Sequence, residues 1–578
     1  MASTTSLFTG LSGLLAHQRK LDVVGNNIAN VNTTAFKSTR VDFQSQITRD
    51  FTFGSPPSDS RGGTDPVQVG MGVNVAGVKR DVSEGAVSFT GDPRDLAVDG
   101  AGYFIIREGQ TQLYTRDGSF RQDSLDNLVT VTGANVLGYG IDENFNIDET
   151  QLAPINIPVG GLNIAEETDR VVVAGNLDAG GTIAQAGSVS TLQRDTTGNG
   201  LQDTTGAVAT AATLLTDIEL LSAPGSTTPQ FAVGEIIRIS GAERGGTTIP
   251  DFDFTVTATS TVQDYLDELN TQLGIFTGLT NPSGANPGAT IDAAGVIQIV
   301  SNTGSASEIE IEGGDIQILD STGALQSTPF ITTNSGAPEG ESVRTTLTAF
   351  DSLGTPLNVD AQFTLIDTTT SGTTWRVDLR SNDNIETSGA INLGTSGVTF
   401  DTNGRILTGS PITVAVRRDG TGATDPLNFS LELGATEGQL TALDGPESSI
   451  TPVFRDGLPL GTLNGFSVGL DGTITGSFTN GATRPLGRVP IATFRNPAGL
   501  VDVGGGSFQV GANSGEASVV TPGELASGTI LGGSLEASNV DLGEEFIELI
   551  RTSTGYNASS RIIRTTDELI QQLLVLGR

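Results

Sequence analysis

LFTGLSGLLAHQRKLDVVGNNIANVNTTAFK, residues 7–37, sets an apolar residue at every seventh position and then runs into four asparagines. Leu7, Leu14, Leu21 and Ile28 mark the interval, and Leu11, Val24 and Val31 fall beside them on one side of a helix. A strict interval of seven gives a narrow apolar stripe, the pattern of a helix that packs along another helix. Thr4, Thr5 or Ser6 is placed to cap its start. Asn26, Asn27, Asn30 and Asn32 come where the stripe ends. Asparagine is a poor helix former because its amide competes for backbone hydrogen bonds, so the cluster predicts a helix stop whose amides cap the last carbonyls.

The other end of the chain repeats the pattern. Leu542, Leu549, Tyr556, Ile563 and Ile570 are also seven apart, with Phe546, Ile550, Leu573 and Leu574 widening the stripe. Asp541, Glu544 and Glu545 suit the positive start of this second helix, and Arg578 its last turn. Two ordinary surface helices on a globular core would give similar stripes. Their placement at the two extremities instead predicts that they meet each other and make everything between them an insertion. Such a two-helix hairpin leaves apolar surface uncovered, and the economical cover is further copies of the same chain.

The middle reads as mainly β. Glycine makes up 76 of 578 residues while charged residues are only 17%, a composition of short strands and tight turns. Turn signals recur through VDGAGYFIIREGQTQLYTRDGSF (98–120) and TLTAFDSLGTPLNVDAQFTLIDTTTSGTTWRVDLRS (346–381). In the latter, Val359, Ala361, Phe363 and Leu365 alternate with Asp360, Gln362 and Thr364. STVQDYLDELNTQLG (260–274) is the one convincing internal helix, with Val262, Tyr265, Leu266 and Leu269 on one face. Residues 44–70 read as an extended linker, and 187–206 as a loop or domain junction.

The formal charge of −36 belongs entirely to residues 51–540, and all three lysines, Lys20, Lys37 and Lys79, fall near the start. Such a field repels nucleic acid and anionic lipid, so neither is an expected partner. With no cysteine, disulfides and thiolate chemistry are excluded. No apolar run reaches the ~20 residues of a membrane span, so no membrane insertion is expected. MASTTSLFTGLSGLLAHQRK has spaced apolar residues and no basic start, unlike a cleaved secretory signal. DTTGNG from Asp195 imitates the first half of a calcium loop, but Gly206 stands where the bidentate glutamate belongs, and a turn is the expected reading. His17 is the only histidine, expected at an interface or in solvent. Gly100, Gly102 and Gly504–Gly506 lie in strand context without the helix of a phosphate cradle. No catalytic, cofactor or metal site is expected.

Five stretches carry a resemblance. GNNIANVNTTAFK (25–37), including Phe36, is similar to the N-terminal signature of the axial proteins of the bacterial flagellum, the rod, hook and hook-associated subunits. EASNVDLGEEFIELIRTSTGYNASSRIIRTTDELIQQLL (536–574) resembles the same family's other end. DLAVDGAGYFII (95–106) with YTRDGSF (114–120), and ATFRNPAGLVDVGGGSFQVGANSGEA (492–517), resemble its inner segments. Ala35 stands where the family often has glycine, and Gly543 where alanine is commoner.

The resemblance implies nested, discontinuous β-domains on a coiled coil of the two ends. The implied parts are 1–43 with 536–578 as tube core, the 44–70 linker, 71–167 with 485–535 as an inner domain, and 168–184 with 336–484 as an outer one. Residues 185–335 match poorly and are expected to be an additional inserted β-rich domain. TAFDSLGTPLNVDAQFTL with Trp375 resembles the outer domain of the family's hook branch; the distal rod is the alternative, and a secreted β-rich adhesin or enzyme the rival from another class. The implied function is a non-enzymatic structural subunit that polymerises into a hollow tube. Implied partners are copies of itself, the distal rod, the hook cap, hook–filament junction proteins and the flagellar type III export apparatus.

Overall fold

Helix α1 (Ala2–Ala29) and helix α3 (Leu542–Leu576) run antiparallel against each other in a computed structural model that describes residues 2–386, 391–524 and 527–576. The side chains of Thr4, Leu573 and Leu574, and the whole of Arg578, lie outside the described residues. Among the described residues, nearly everything between the helices is strand or turn, apart from α2 (Val262–Gln272) and three single-turn 3-10 segments. The chain divides into two units, residues 1–163 with 462–578, and residues 164–461.

In the first unit, early and late segments pair repeatedly, which is what makes the middle of the chain an insertion. Tyr103–Glu108 lies between Thr111–Thr115 and Asn135–Ile141, and also pairs with Ile491–Thr493 from the far side of the sequence. Leu96–Asp99 pairs with Thr529–Gly532, and Val87–Phe89 with Ser534–Glu536. Tyr103, Ile105, Tyr114, Leu137, Ala492, Leu500 and Phe508 form the core beneath this sheet. After α1, Thr39–Ser45 pairs with Val73–Arg80, and Thr48–Thr52 with Val67–Gly70. Residues 44–70, expected as an extended linker, are thus exposed extended strands that hydrogen-bond to one another.

Among the described residues, the second unit holds two large hydrophobic cores. One gathers around Trp375 between two sheets. The first is a five-stranded antiparallel meander from Ser342–Phe350 to Ile406–Thr408, and the second is centred on Arg170–Asp178. The other core packs α2 against short strands between residues 192 and 330. Thr261 and Asp264 close a capping box at the start of α2, and Val262, Tyr265, Leu266 and Leu269 are its buried face, as the spacing predicts.

Two expectations need correction. The stretch 187–206 is not simply a loop: Val189–Gln193 is a central strand, paired with Ile297–Val300 on one side and Ile331–Ser335 on the other. Its apolar content is low because Ser190, fully buried, gives its hydroxyl to the Ile309 carbonyl at 3.2 Å where a hydrophobe would otherwise stand. The strand Pro356–Thr369 does put Val359, Ala361, Phe363 and Leu365 in the core, yet Gln362 and Thr364 on its opposite face are equally buried. The 3-10 turn Ser305–Ser307 covers part of that face, Ser307 accepting a hydrogen bond from Gln362 at 2.6 Å.

Candidate assembly surface on the paired helices

Side-chain size decides how the two helices meet. A Cβ added to Gly10 would lie 3.0 Å from Ile563 Cγ1, and one on Gly13 would lie 2.8 Å from Ser559 Oγ. Opposite His17, a Cβ on Gly555 would collide with the imidazole at 2.6 Å. Among the described residues, Gly10, Gly13, Ala16, Val24, Asn27, Thr552, Ser559 and Thr566 are the buried positions, so apart from Val24 the line of closest approach is built of small and polar residues. Small residues let the backbones come close enough for dispersion contact along their length.

The residues expected at the seam flank this line. Leu7, Leu14, Leu21, Ile28 and Val31 on one side, and Leu549, Tyr556, Ile563 and Ile570 on the other, are half-buried. Leu11, Leu542 and Phe546 are exposed, and the Leu574 side chain lies outside the described residues. Phe8, Leu15, Ile547, Ile550, Ile562, Leu569 and Val575 are exposed as well, with Val575 at 76%. Two helices carrying this much uncovered apolar surface present a docking face rather than a finished core.

Charged groups fix the register. Lys20 binds Glu548, and Asn27 donates Nδ2 to Glu545 Oε1 at 2.8 Å. Hydrogen bonding from Lys20 holds the Glu548 carboxyl below its usual value. Burial raises that of Glu545. His17 stands edge-on to Phe43 at 5.7 Å; burial, then the Lys20 charge, lowers its pKa.

The asparagines divide the work. Asn27, 1% exposed, also donates to the Thr39 carbonyl at 2.8 Å and accepts from Thr39 N at 3.0 Å, so one amide ties α1, α3 and the first strand together. Asn30 caps the Asn26 carbonyl at 2.9 Å and accepts from Thr33 Oγ1 at 3.1 Å. Asn26 and Asn32 are exposed, and Phe36 is half-buried with its carbonyl accepting from Asn539 N at 3.2 Å.

Below the helices lies a group that periodicity gave no reason to single out. Lys37 Nζ donates to Glu536 Oε1 at 2.6 Å and to the Ser83 carbonyl at 2.7 Å. Glu536 Oε1 also accepts from Gly85 N at 2.9 Å, and its Oε2 accepts from Arg116 at 3.4 Å. Arg116 reaches on to the Val98 and Gly100 carbonyls. One buried carboxylate therefore clasps segments that are hundreds of residues apart. Burial pulls the Lys37 ammonium below its usual value in spite of Glu536. Asn539 adds a second clasp, accepting from Ser38 N at 2.7 Å and donating to the Ser83 carbonyl at 3.2 Å. Glu536 and Asn539 both sit in the C-terminal stretch quoted above; their signal was a polar residue just ahead of a helix start.

The calcium-like string closes on itself. Asp195 accepts from Thr197 N at 2.9 Å, Thr197 Oγ1 at 2.6 Å and Asn199 Nδ2 at 2.7 Å, a turn held by its own carboxylate.

Comparison with known proteins adds four matches in chain order. Residues 7–37 match the family model described as flagella basal body rod protein, and 97–190 the flagellar hook protein FlgE/F/G D1 domain. Residues 318–458 match the flagellar basal body protein FlaE D2 domain, and 531–576 the flagellar basal body rod FlgEFG protein C-terminal model. The flagellar hook protein FlgE of Treponema pallidum is 26% identical over 99% of both chains, and that of Borreliella burgdorferi 28% over 99% of both. The flagellar basal-body rod protein FlgG of Bacillus subtilis is 44% identical, over 23% of this chain and 50% of its own.

Proposed function

The chain belongs to the flagellar hook and rod protein family, and from that membership we infer that it is a structural subunit of the bacterial flagellar hook. One observation carries the choice within the family: similarity to hook proteins runs the length of both chains, while that to the rod protein stops at 23% of this one. A family that builds an organelle from many copies needs a surface that binds copies, and no substrate chemistry.

On this reading the helix pair forms the wall of a hollow tube. Exposed Phe8, Leu11, Leu15, Phe546, Ile547 and Ile550 are covered by helices of neighbouring subunits. A contact between unlike surfaces with a rotation that does not close generates an open helical filament. The glycine-rich, acidic surfaces of the β-units make weak, exchangeable contacts that slide as the tube bends under torque. The distal rod, the cap and junction proteins are its neighbours along the axis. Export by the flagellar type III apparatus as an extended chain is compatible with ends whose full burial waits for assembly.

Leu14 and Ile563 are half-buried at the edge of the helix seam. Leu14→Asp or Ile563→Asp is expected to abolish tubes seen by electron microscopy of concentrated protein while the β-units stay folded. Tubes of wild-type length from both variants would overturn the assignment of the helices to the tube wall.

A further inference from the structure

Thr552, Ser559 and Thr566 are the buried side of α3, and the opposite side carries charge in an order that the helix pair does not use. Ile547, Ile550, Ile562 and Leu569 form an exposed apolar strip along it. Glu544 and Arg551 lie along one flank of the strip, and Arg561 and Glu568 along the other, about 100° around the helix. Within each pair the spacing is seven, which keeps both members on one flank. The order of sign is opposite: acid then base on the first flank, base then acid on the second.

All four side chains are exposed, that of Arg551 at 79%. Among the described residues, Glu544, Arg561 and Glu568 enter no ion pair, and Arg551 has only a loose contact with Glu548 at 3.4 Å. Lys20, Asn27, Glu545 and Glu548, by contrast, join the two helices of one chain. Exposed charges of the first kind contribute little to the fold that carries them.

We propose that α3 of one copy packs parallel against α3 of the next with a stagger of 17 residues, about 25 Å along the axis. The proposal rests on the tube reading above. Arg561 stands 17 residues after Glu544, and Glu568 the same 17 after Arg551. One stagger therefore satisfies both pairs at once, setting Glu544 against Arg561 of the next copy and Arg551 against its Glu568. Without a stagger the pairs lie at different heights and neither meets its complement. Copies in an open helical filament keep one polarity and present unlike surfaces to each other, as a contact between two different flanks requires. Ion pairs bordering an apolar strip set register and partner more than they add affinity.

Two variants exchange these charges at constant net charge: Glu544→Arg with Arg551→Glu, and Arg561→Glu with Glu568→Arg. Each sets like charges opposite each other and is expected to raise the protein concentration needed for tubes by about tenfold or more. All four substitutions in one chain are expected to restore it. Circular dichroism and the fluorescence of Trp375, the only tryptophan, verify that the variants keep their helices and β-units. A second readout uses the lack of native cysteine. Glu544→Cys with Arg561→Cys is expected to give a ladder of disulfide-linked multimers in oxidised tubes, since within one helix these positions are too far apart to bridge. Glu544→Cys with Glu568→Cys is expected to give none. Exchange variants that assemble like the wild type, no rescue by the fourfold exchange, or no ladder would overturn the stagger while wild-type tubes keep the functional reading. Absence of tubes from the wild-type chain would overturn both.

Discussion

Ala35 has a left-handed backbone, φ 56°, and gives its N–H to the Glu536 carbonyl at 2.8 Å. The turn out of α1 must reverse within a few residues to bring Lys37 onto Glu536, and a left-handed residue makes that reversal. A Cβ in that conformation costs on the order of 1 kcal/mol, so glycine is the natural occupant. Ala35→Gly is expected to stabilise the first unit by about 0.5–1 kcal/mol in urea unfolding, and Ala35→Val to destabilise it by at least ~1 kcal/mol. His17 carries the second prediction at this scale. Its pKa lies below 6.5 in the folded helix pair, so the unfolded chain takes up the proton first as pH falls. The stability contributed by neutral His17 is complete above about pH 6.5 and is lost as pH falls from there toward the lowered folded value. Glu545 acts in the opposite sense: with its pKa raised above 4.5, its contribution is full below that pH and lost as pH rises through the folded value. Glu548, held below 4.5 by Lys20, contributes above that pH and loses its contribution as pH falls through the lowered value. Acidification from pH 7 toward 5.5 is expected to weaken the helix signal in far-ultraviolet circular dichroism, and His17→Gln to flatten that response.

For the helices as elements, the glycines matter more than the leucines in setting the approach. Gly13 is the sharpest case, since a Cβ there meets only Ser559, at 2.8 Å from Oγ and 3.6 Å from Cβ. Gly13→Leu is expected to wedge the helices apart at about 1–3 kcal/mol and to stop tube formation. Gly13→Ala combined with Ser559→Gly exchanges the positions of small side chain and gap, and should restore tubes that Gly13→Ala alone weakens; failure of that rescue would separate assembly from the geometry of this crossing. The stripe of seven was legible because periodicity states which side of a helix is apolar. The Gly10–Gly13–Ala16 run was not, because small residues at a spacing of three signal close approach only once a partner is known. The strand Val189–Gln193 was missed for a related reason: its buried Ser190 is satisfied by a carbonyl more than a hundred residues away.

The whole molecule separates a helical end from β-units that carry their own cores. Trp375 is buried in the second unit and reports on residues 164–461. Leu14→Asp, which strikes α1, is expected to leave the Trp375 fluorescence transition at its wild-type midpoint while lowering the helix signal; a shared shift of both would mean that the helices and the second unit unfold together.

By itself the sequence determined that the two extremities are helices with an apolar side, that the middle is β, that 260–274 forms an internal helix, and which family the chain resembles. These are statements about local periodicity, composition and contiguous motifs, and neighbours in sequence suffice to make them. Only the tertiary structure decided which side chains touch across the helix pair, that both faces of Pro356–Thr369 are covered, and that Lys37, Glu536 and Arg116 share one buried clasp. Each of these depends on what arrives from a distant part of the chain. Burial and approach distance are properties of pairs of segments, and no single segment encodes them.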